Sequence, residues 1–159
     1  MSVYLMSIKP KWAKELYNGK KTVEFRKTAP QPGSIGFLYE TAPVQAVTGA
    51  FQVMAVLSGP ANIVWGTIRV LGKVWSPGTV TQGMLADYAR GGNCCAIIAG
   101  LVSHFEPGDI VKLEKFGVRP PQSWQSLRAT NAAENRLASA LLDILRKGFT
   151  AEKKGGENE

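Results

Sequence analysis

In residues 10–18 the apolar positions recur four apart, Trp12 with Leu16 and Ala13 with Tyr17, while Lys11 and Lys14 fall on the other side. That spacing predicts a short amphipathic helix. Pro10 suits its first turn and Gly19 suits the left-handed position past its end. From Lys20 to Lys27 the period drops to two, with Val23 and Phe25 alternating with Thr22, Glu24 and Arg26. This predicts a strand with one core face and one polar face. Parity puts Lys21 on the core side, but at the strand entry, where alternation is weak. Pro30, Pro32 and Gly33 mark a loop, and residues 36–40 read as a second strand.

Residues 47–57 are β-branched and apolar between Pro43 and Gly59-Pro60, which predicts a buried strand of a closed or nearly closed sheet. Residues 63–75 fit neither period clearly. Thr81 predicts the cap of a helix through Ala89, with Met84 and Tyr88 four apart and Gly91 beyond the end. Residues 96–105 and 110–116 read as two strands of a hairpin turned by Glu106-Pro107-Gly108-Asp109. After Arg119-Pro120-Pro121 the pattern becomes helical. Asn131 and Glu134 fit a capping box ahead of an apolar stripe of Leu137, Leu141, Ile144 and Leu145 that Gly148 ends. Beyond Ala151 no apolar residue remains, so the tail is expected to be disordered.

A length of 159 residues with 45% hydrophobic content fits one folded domain rather than two. Nineteen Lys and Arg against twelve Asp and Glu leave a net charge of +7, which favours anionic partners: RNA, DNA or acidic lipid headgroups. The only cysteines, Cys94 and Cys95, are adjacent, so they neither staple distant elements nor complete a metal site. No metal and no cofactor is expected, and the compartment is expected to be reducing and cytoplasmic. Residues 41–68 hold no charge, but Pro43, Gln45, Gly49, Gln52, Gly59, Pro60 and Asn62 interrupt them. They fall short of the ~20 apolar residues of a membrane span. Residues 1–7 lack the features of a secretory peptide.

Candidate chemistry concentrates in residues 19–27, where Lys20, Lys21, Arg26 and Lys27 surround Glu24. In a binding protein, Arg26 offers a planar fork for phosphate or a base edge, and the lysines offer compact charges for phosphate oxygens. Glu24 then orients Arg26 or accepts from a base amino group. In an enzyme, burial and neighbouring cations would lower the Lys21 pKa and Glu24 would accept a proton. A solvated ion pair is the third reading, and spacing leaves all three open. Ser7 and Lys9 precede the first helix, where free N–H groups and a lysine can hold an anion. Trp12, Tyr17, Tyr39 and Trp124 are candidates for stacking on bases, with core packing the alternative for Trp12 and Tyr17. Gln122 and Ser123 could line a pocket beside Trp124. His104 is the single histidine, which excludes a two-histidine acid/base pair within one chain and reads as structural.

Gly19-Lys20-Lys21-Thr22-Val23-Glu24-Phe25-Arg26 fills the G-x-K-x-x-E-x-R pattern of the ASCH domain family, which the chain resembles over roughly residues 3–127. Met6-Ser7-Ile8-Lys9-Pro10, Tyr39-Glu40-Thr41-Ala42-Pro43, Val47-Thr48-Gly49-Ala50-Phe51 and Arg119-Pro120-Pro121-Gln122-Ser123-Trp124 fit the flanking phrases in order. The resemblance implies a PUA-like small β-barrel with a helix at its mouth, a cleft there, and RNA binding. One branch of this superfamily hydrolyses N4-acetylcytidine with a lysine, a threonine three residues later and a distant glutamate. Lys21 matches the lysine, but Glu24 stands at the threonine position, and Asp87 is the only acid in residues 58–90. Thr22 is the neighbouring hydroxyl that would have to substitute.

The expectation is an α+β chain: an ASCH, PUA-like domain over residues 1–128, an added C-terminal helix over 129–148 and a disordered tail over 149–159. Its leading function is RNA binding, with a single strand or a nucleotide held in a basic cleft by Ser7, Lys9, Lys20, Lys21, Glu24, Arg26, Lys27, Tyr39 and Gln122. One alternative is a hydrolase of RNA or of a modified nucleoside, with Lys21 and Glu24 catalytic. Another is a protein-interaction adaptor or transcription-related regulator, with a protein partner or a second copy docking on the C-terminal helix. No membrane partner is expected.

Overall fold

In the computed structural model, which describes residues 2–72 and 74–155, six strands form one sheet in the order β2-β5-β4-β3-β1-β6. They are β1 (Val3–Ile8), β2 (Val23–Arg26), β3 (Ile35–Glu40), β4 (Ala46–Pro60), β5 (Asn93–His104) and β6 (Trp124–Ser126). All pairings are antiparallel except β1 with β3. A parallel pair needs a crossover, and α1 (Pro10–Tyr17) with β2 lies within it. The sheet curls into a half-barrel, leaving β2 and β6 as its two edges.

Three apolar clusters fill the space around this sheet. Val3, Leu5, Phe37 and Val47 pack against Leu137 and Leu141 of α4 (Ala132–Gly155). Met6, Leu38, Phe51 and Ile97 pack against Ala13 and Leu16 of α1. Val23 and Phe25 meet Val64 and Ile68 of α2 (Ala61–Val70) and Leu85 of α3 (Gln82–Ala89). The uncharged stretch that mimicked a membrane span is thus strand β4 running into the partly buried α2. No helix among the described residues is long and apolar enough to cross a membrane.

The first helix, β2, β3 and β5 form where periodicity predicts them. Thr81 caps α3 by accepting from the Met84 amide at 3.2 Å, although Arg90, at φ 50°, takes the left-handed position before Gly91. β1 carries no alternation because all six of its residues are buried, so its pattern does not announce a strand. β6 is only three residues long.

Residues 110–116 do not form the predicted hairpin strand. They give one bridge, Val111 with Val47, between 3-10 turns at Pro107–Asp109 and Leu113–Phe116. Their apolar residues are anchors rather than an alternating face: Leu113 inserts into the first core, and Gly117 at φ 68° ends the turn. The capping box is half formed. Asn131 accepts from the Glu134 amide at 3.0 Å, but the Glu134 carboxylate pairs with Arg128 instead of reaching back.

The C-terminal helix is also longer than expected, passing Gly148 and ending at Gly155; residues 156–159 of the expected tail lie outside the described residues. One glycine near an end does not stop a helix whose next residues propagate it. Nor is it merely laid on the barrel, since Leu137 and Leu141 have no exposure at all. Leu141→Ala should cost about 2–5 kcal/mol of stability in urea unfolding; a loss below about 1 kcal/mol would show that the helix is dispensable.

Candidate functional site

Gly19, at φ 78°, turns the chain out of α1, and the Lys21 amide donates back to the Glu15 carbonyl at 2.9 Å. In β2 alternation sends Val23 and Phe25 into the α2/α3 core and turns Glu24 and Arg26 to the other face. Arg26 then crosses the opening between the sheet edges. One terminal nitrogen donates to the Ser7 carbonyl at 2.6 Å, and the other to the Ser123 carbonyl and hydroxyl at 3.3 and 3.2 Å. Ser7 lies in β1 and Ser123 just before β6. A second link is made by the Trp124 indole, which donates to the Thr28 carbonyl and hydroxyl at 3.2 Å each.

Below this link lies a buried ion pair. The Lys21 side chain has 0% exposure, donates to the Val23 carbonyl and sits 3.4 Å from Glu24 Oε2. Trp12 and Phe25 rings flank its ammonium at 6.0 and 5.8 Å. Burial pushes the Lys21 pKa down; the Glu24 carboxylate pulls it partly back and the Arg26 charge adds to the depression. Glu24 Oε1 accepts from the Phe25 amide at 3.1 Å and lies 3.9 Å from Arg26 Nε. Glu24 Oε2 is buried and, beyond its ion pair with Lys21, makes no hydrogen bond among the described residues. Such an acceptor carries a desolvation cost of about 1–3 kcal/mol or more for a charged group, and a donor supplied by a ligand would offset it.

Residues 76–79 strap the far side of Lys21. Thr22 and Val23 amides both donate to the Ser76 carbonyl, Lys21 bridges Pro77, and the buried Glu15 carboxylate accepts from the Thr79 amide and hydroxyl at 2.9 and 3.1 Å. Gly78 makes this possible. It sits at φ 65°, and a Cβ there would meet both Glu15 Oε1 and Lys21 Cβ at 3.0 Å.

The seam opens into a cavity of about 390 Å³. Of the residues named from the sequence, Ser7, Lys9, Glu24, Arg26, Gln122 and Ser123 line it, joined by Thr41. Its apolar wall is made by Trp12, Met84, Leu85 and Tyr88. The other predicted residues lie elsewhere. Tyr39 is buried in the first core, because its strand is covered on both faces. Lys20 is exposed, with its ammonium 4.0 Å from Glu15. Lys27 packs over the Tyr88 ring at 5.7 Å, behind the cavity wall. Lys21 lies beneath the cavity, sealed from phosphate by burial. Arg26 lines the cavity as a structural fork, with both terminal nitrogens donating to protein acceptors.

Tyr88 and Met84 are not singled out for the cleft by the sequence, since their four-residue spacing reads as a helix's core face, whereas Trp12 is a stacking candidate with core packing as its alternative. The buried Glu15 had no signal in the sequence beyond its place on the first helix. The acyl-cytidine set is not assembled around Lys21: Thr22 Oγ1 accepts from the Ser76 amide at 2.8 Å, and neither Thr22 nor Asp87 lines the cavity. Among the described residues no group of three His, Cys, Asp or Glu could hold a metal ion.

The curled sheet, the mouth helix and the seam cleft define a small PUA-like half-barrel of the kind the sequence motif implies. Residues 6–62 match the family model described as ASCH domain, a span that includes Lys21, Glu24 and Arg26. A curated relative, the ASCH domain-containing ribonuclease of Zymomonas mobilis, is 38% identical over 63 residues, which are 38% of this chain and 43% of the relative. The match thus spans less than half of the relative's length. The crystal structure of ASCH from Zymomonas mobilis is similar at a TM-score of 0.69 and 26% identity, over 86% of this chain and 94% of that one. A tyrosine-to-phenylalanine variant of the Zymomonas mobilis protein gives 0.71 at 24% identity, over 89% and 99%.

The Lys21 shift has a pH signature. Because the folded chain binds this proton less tightly than the unfolded chain, whose lysine titrates near 10.5, the unfolded state holds more protons between the lowered value and 10.5. Stability contributed by Lys21 therefore rises with pH over that interval. In urea unfolding, wild type should gain on Lys21→Met as pH climbs from about 8 to about 10; a difference that stays constant or shrinks would contradict the burial of a strained ammonium.

Proposed function

We propose that the protein acts on RNA, binding a single strand so that one nucleotide enters the seam cleft. The observation that carries this reading is Glu24, which lines a cavity of nucleotide size and whose buried Oε2 has the Lys21 ammonium at 3.4 Å but no hydrogen bond among the described residues. A base edge supplies what that oxygen lacks, an N–H donor, and the Trp12 and Tyr88 rings in the wall offer stacking surfaces worth ~1–3 kcal/mol per base. Lys9, exposed at the rim, and the overall charge of +7 favour the phosphates. The relative described as a ribonuclease supports RNA as the substrate class.

Anisotropy of a labelled single-stranded RNA, titrated across salt, tests the reading. Lys9→Ala should weaken binding and reduce the salt slope by about 0.7, and Glu24→Gln should weaken it about tenfold and alter base preference. Absence of any association at low salt, or wild-type affinity in Glu24→Gln, would refute it.

A second reading, hydrolysis of RNA, is favoured by one arrangement: the buried Lys21 and Glu24 pair 3.4 Å apart beside the same cavity. Glu24 would accept the proton of the attacking hydroxyl as the P–O5′ bond breaks, water would give a proton to the leaving 5′ oxygen, and the Lys21 charge would hold the carboxylate in place. End-labelled RNA incubated with wild type should then yield shorter products that Glu24→Gln does not make. Unchanged RNA with wild type leaves binding as the activity.

A further inference from the structure

The C-terminal end of α1 borders a second cavity, of about 330 Å³, lined by Lys14, Tyr17, Asn18, Glu40 and His104. The Tyr17 and His104 rings stack there with centroids 4.0 Å apart and planes 4° from parallel. Tyr17 is fixed in place, its hydroxyl 2.7 Å from Thr48 Oγ1. Gly49 is what admits it, since a Cβ at that position would lie 2.5 Å from the Tyr17 hydroxyl oxygen and 2.3 Å from the Ser103 carbonyl. His104 remains exposed although one face is covered by Tyr17, and it lines the cavity.

The polar groups around this surface are unspent. Among the described residues neither Lys14 nor Glu40 forms an ion pair or a side-chain hydrogen bond, though both line the same cavity. Asn18 uses its side-chain oxygen to accept from the Lys20 amide at 2.9 Å, which leaves its amide N–H groups available. An aromatic face, a cation and an uncommitted carboxylate complement, in that order, a base, a phosphate and a base amino group.

We propose that this cavity is a second nucleotide subsite, in which an unpaired base bearing an exocyclic amino group stacks on His104, donates to Glu40 and keeps its phosphate beside Lys14. The proposal rests on the RNA reading of the seam cleft and extends it along the strand. The two cavities share their walls: Lys9 and Trp12 at the start of α1 line the first, Lys14 and Tyr17 further along line the second, and the adjacent Thr41 and Glu40 fall one on each side. Trp12 and Tyr17 are five positions apart on α1, about 7.5 Å along its axis and roughly 140° around it, so a strand that passes from one cavity to the other turns around the helix and places successive nucleotides in each.

The chain's single histidine makes the test direct, because its imidazole proton signals report on one place only. Addition of oligo(rC) or oligo(rA) should move the His104 ring protons upfield. His104→Ala should lower affinity about tenfold, His104→Phe should retain it, and Glu40→Gln should abolish the preference for oligo(rC) over oligo(rU). His104 signals that stay fixed while RNA binds in a Lys9-dependent way would overturn the subsite and leave the seam cleft standing. Failure of any RNA to bind would overturn both.

Discussion

An open sheet has two edges, and each exposes backbone groups that need partners. In this chain the guanidinium of Arg26 supplies them across the gap, donating to Ser7 in β1 and to Ser123 beside β6. A backbone ladder between β2 and β6 would close the barrel and leave no cavity. A side-chain link holds the edges together while keeping them apart, and the space it preserves is the cleft. Lysine could not replace it, since one ammonium lacks the fork that reaches three acceptors on Ser7 and Ser123.

The same residue makes the buried pair tolerable. Lys21 and Glu24 are removed from water, and a buried charge is costly unless it is paired and hydrogen-bonded. Lys21 has Glu24 and the Val23 carbonyl; Glu24 has the Phe25 amide, with Arg26 nearby. One carboxylate oxygen, Oε2, has the Lys21 ammonium at 3.4 Å and no hydrogen bond among the described residues. The electrostatic cost is thus concentrated at Glu24, a residue that also lines the cavity.

Much of this was legible in residues 19–27 because a glycine stop, a change of period and a cluster of charges occur within nine positions. Glu24 and Arg26 fall on one face by strand parity alone. Parity puts Lys21 on the core side, at a strand entry where alternation is weak; it is buried, and its long stem folds back toward Glu24 from a position before β2 begins. Nor does a sequence say whether an arginine is free or engaged: the partners of Arg26 are carbonyls, which every residue possesses. Tyr39 was misplaced because a strand covered on both faces hides its tyrosine as readily as its leucine. His104, read as structural, does stack on Tyr17, yet it does so at a cavity, and only the close approach at Gly49 puts the two rings together.

Native-state hydrogen exchange on Arg26→Lys tests the seam most directly. The Ser7 amide, bonded to the Ser123 carbonyl at 2.9 Å, and the amides of Trp124 to Ser126 should lose protection, while those of β4 and β5 keep theirs. Protection unchanged along β6 would mean that the edges are held by something other than the Arg26 fork.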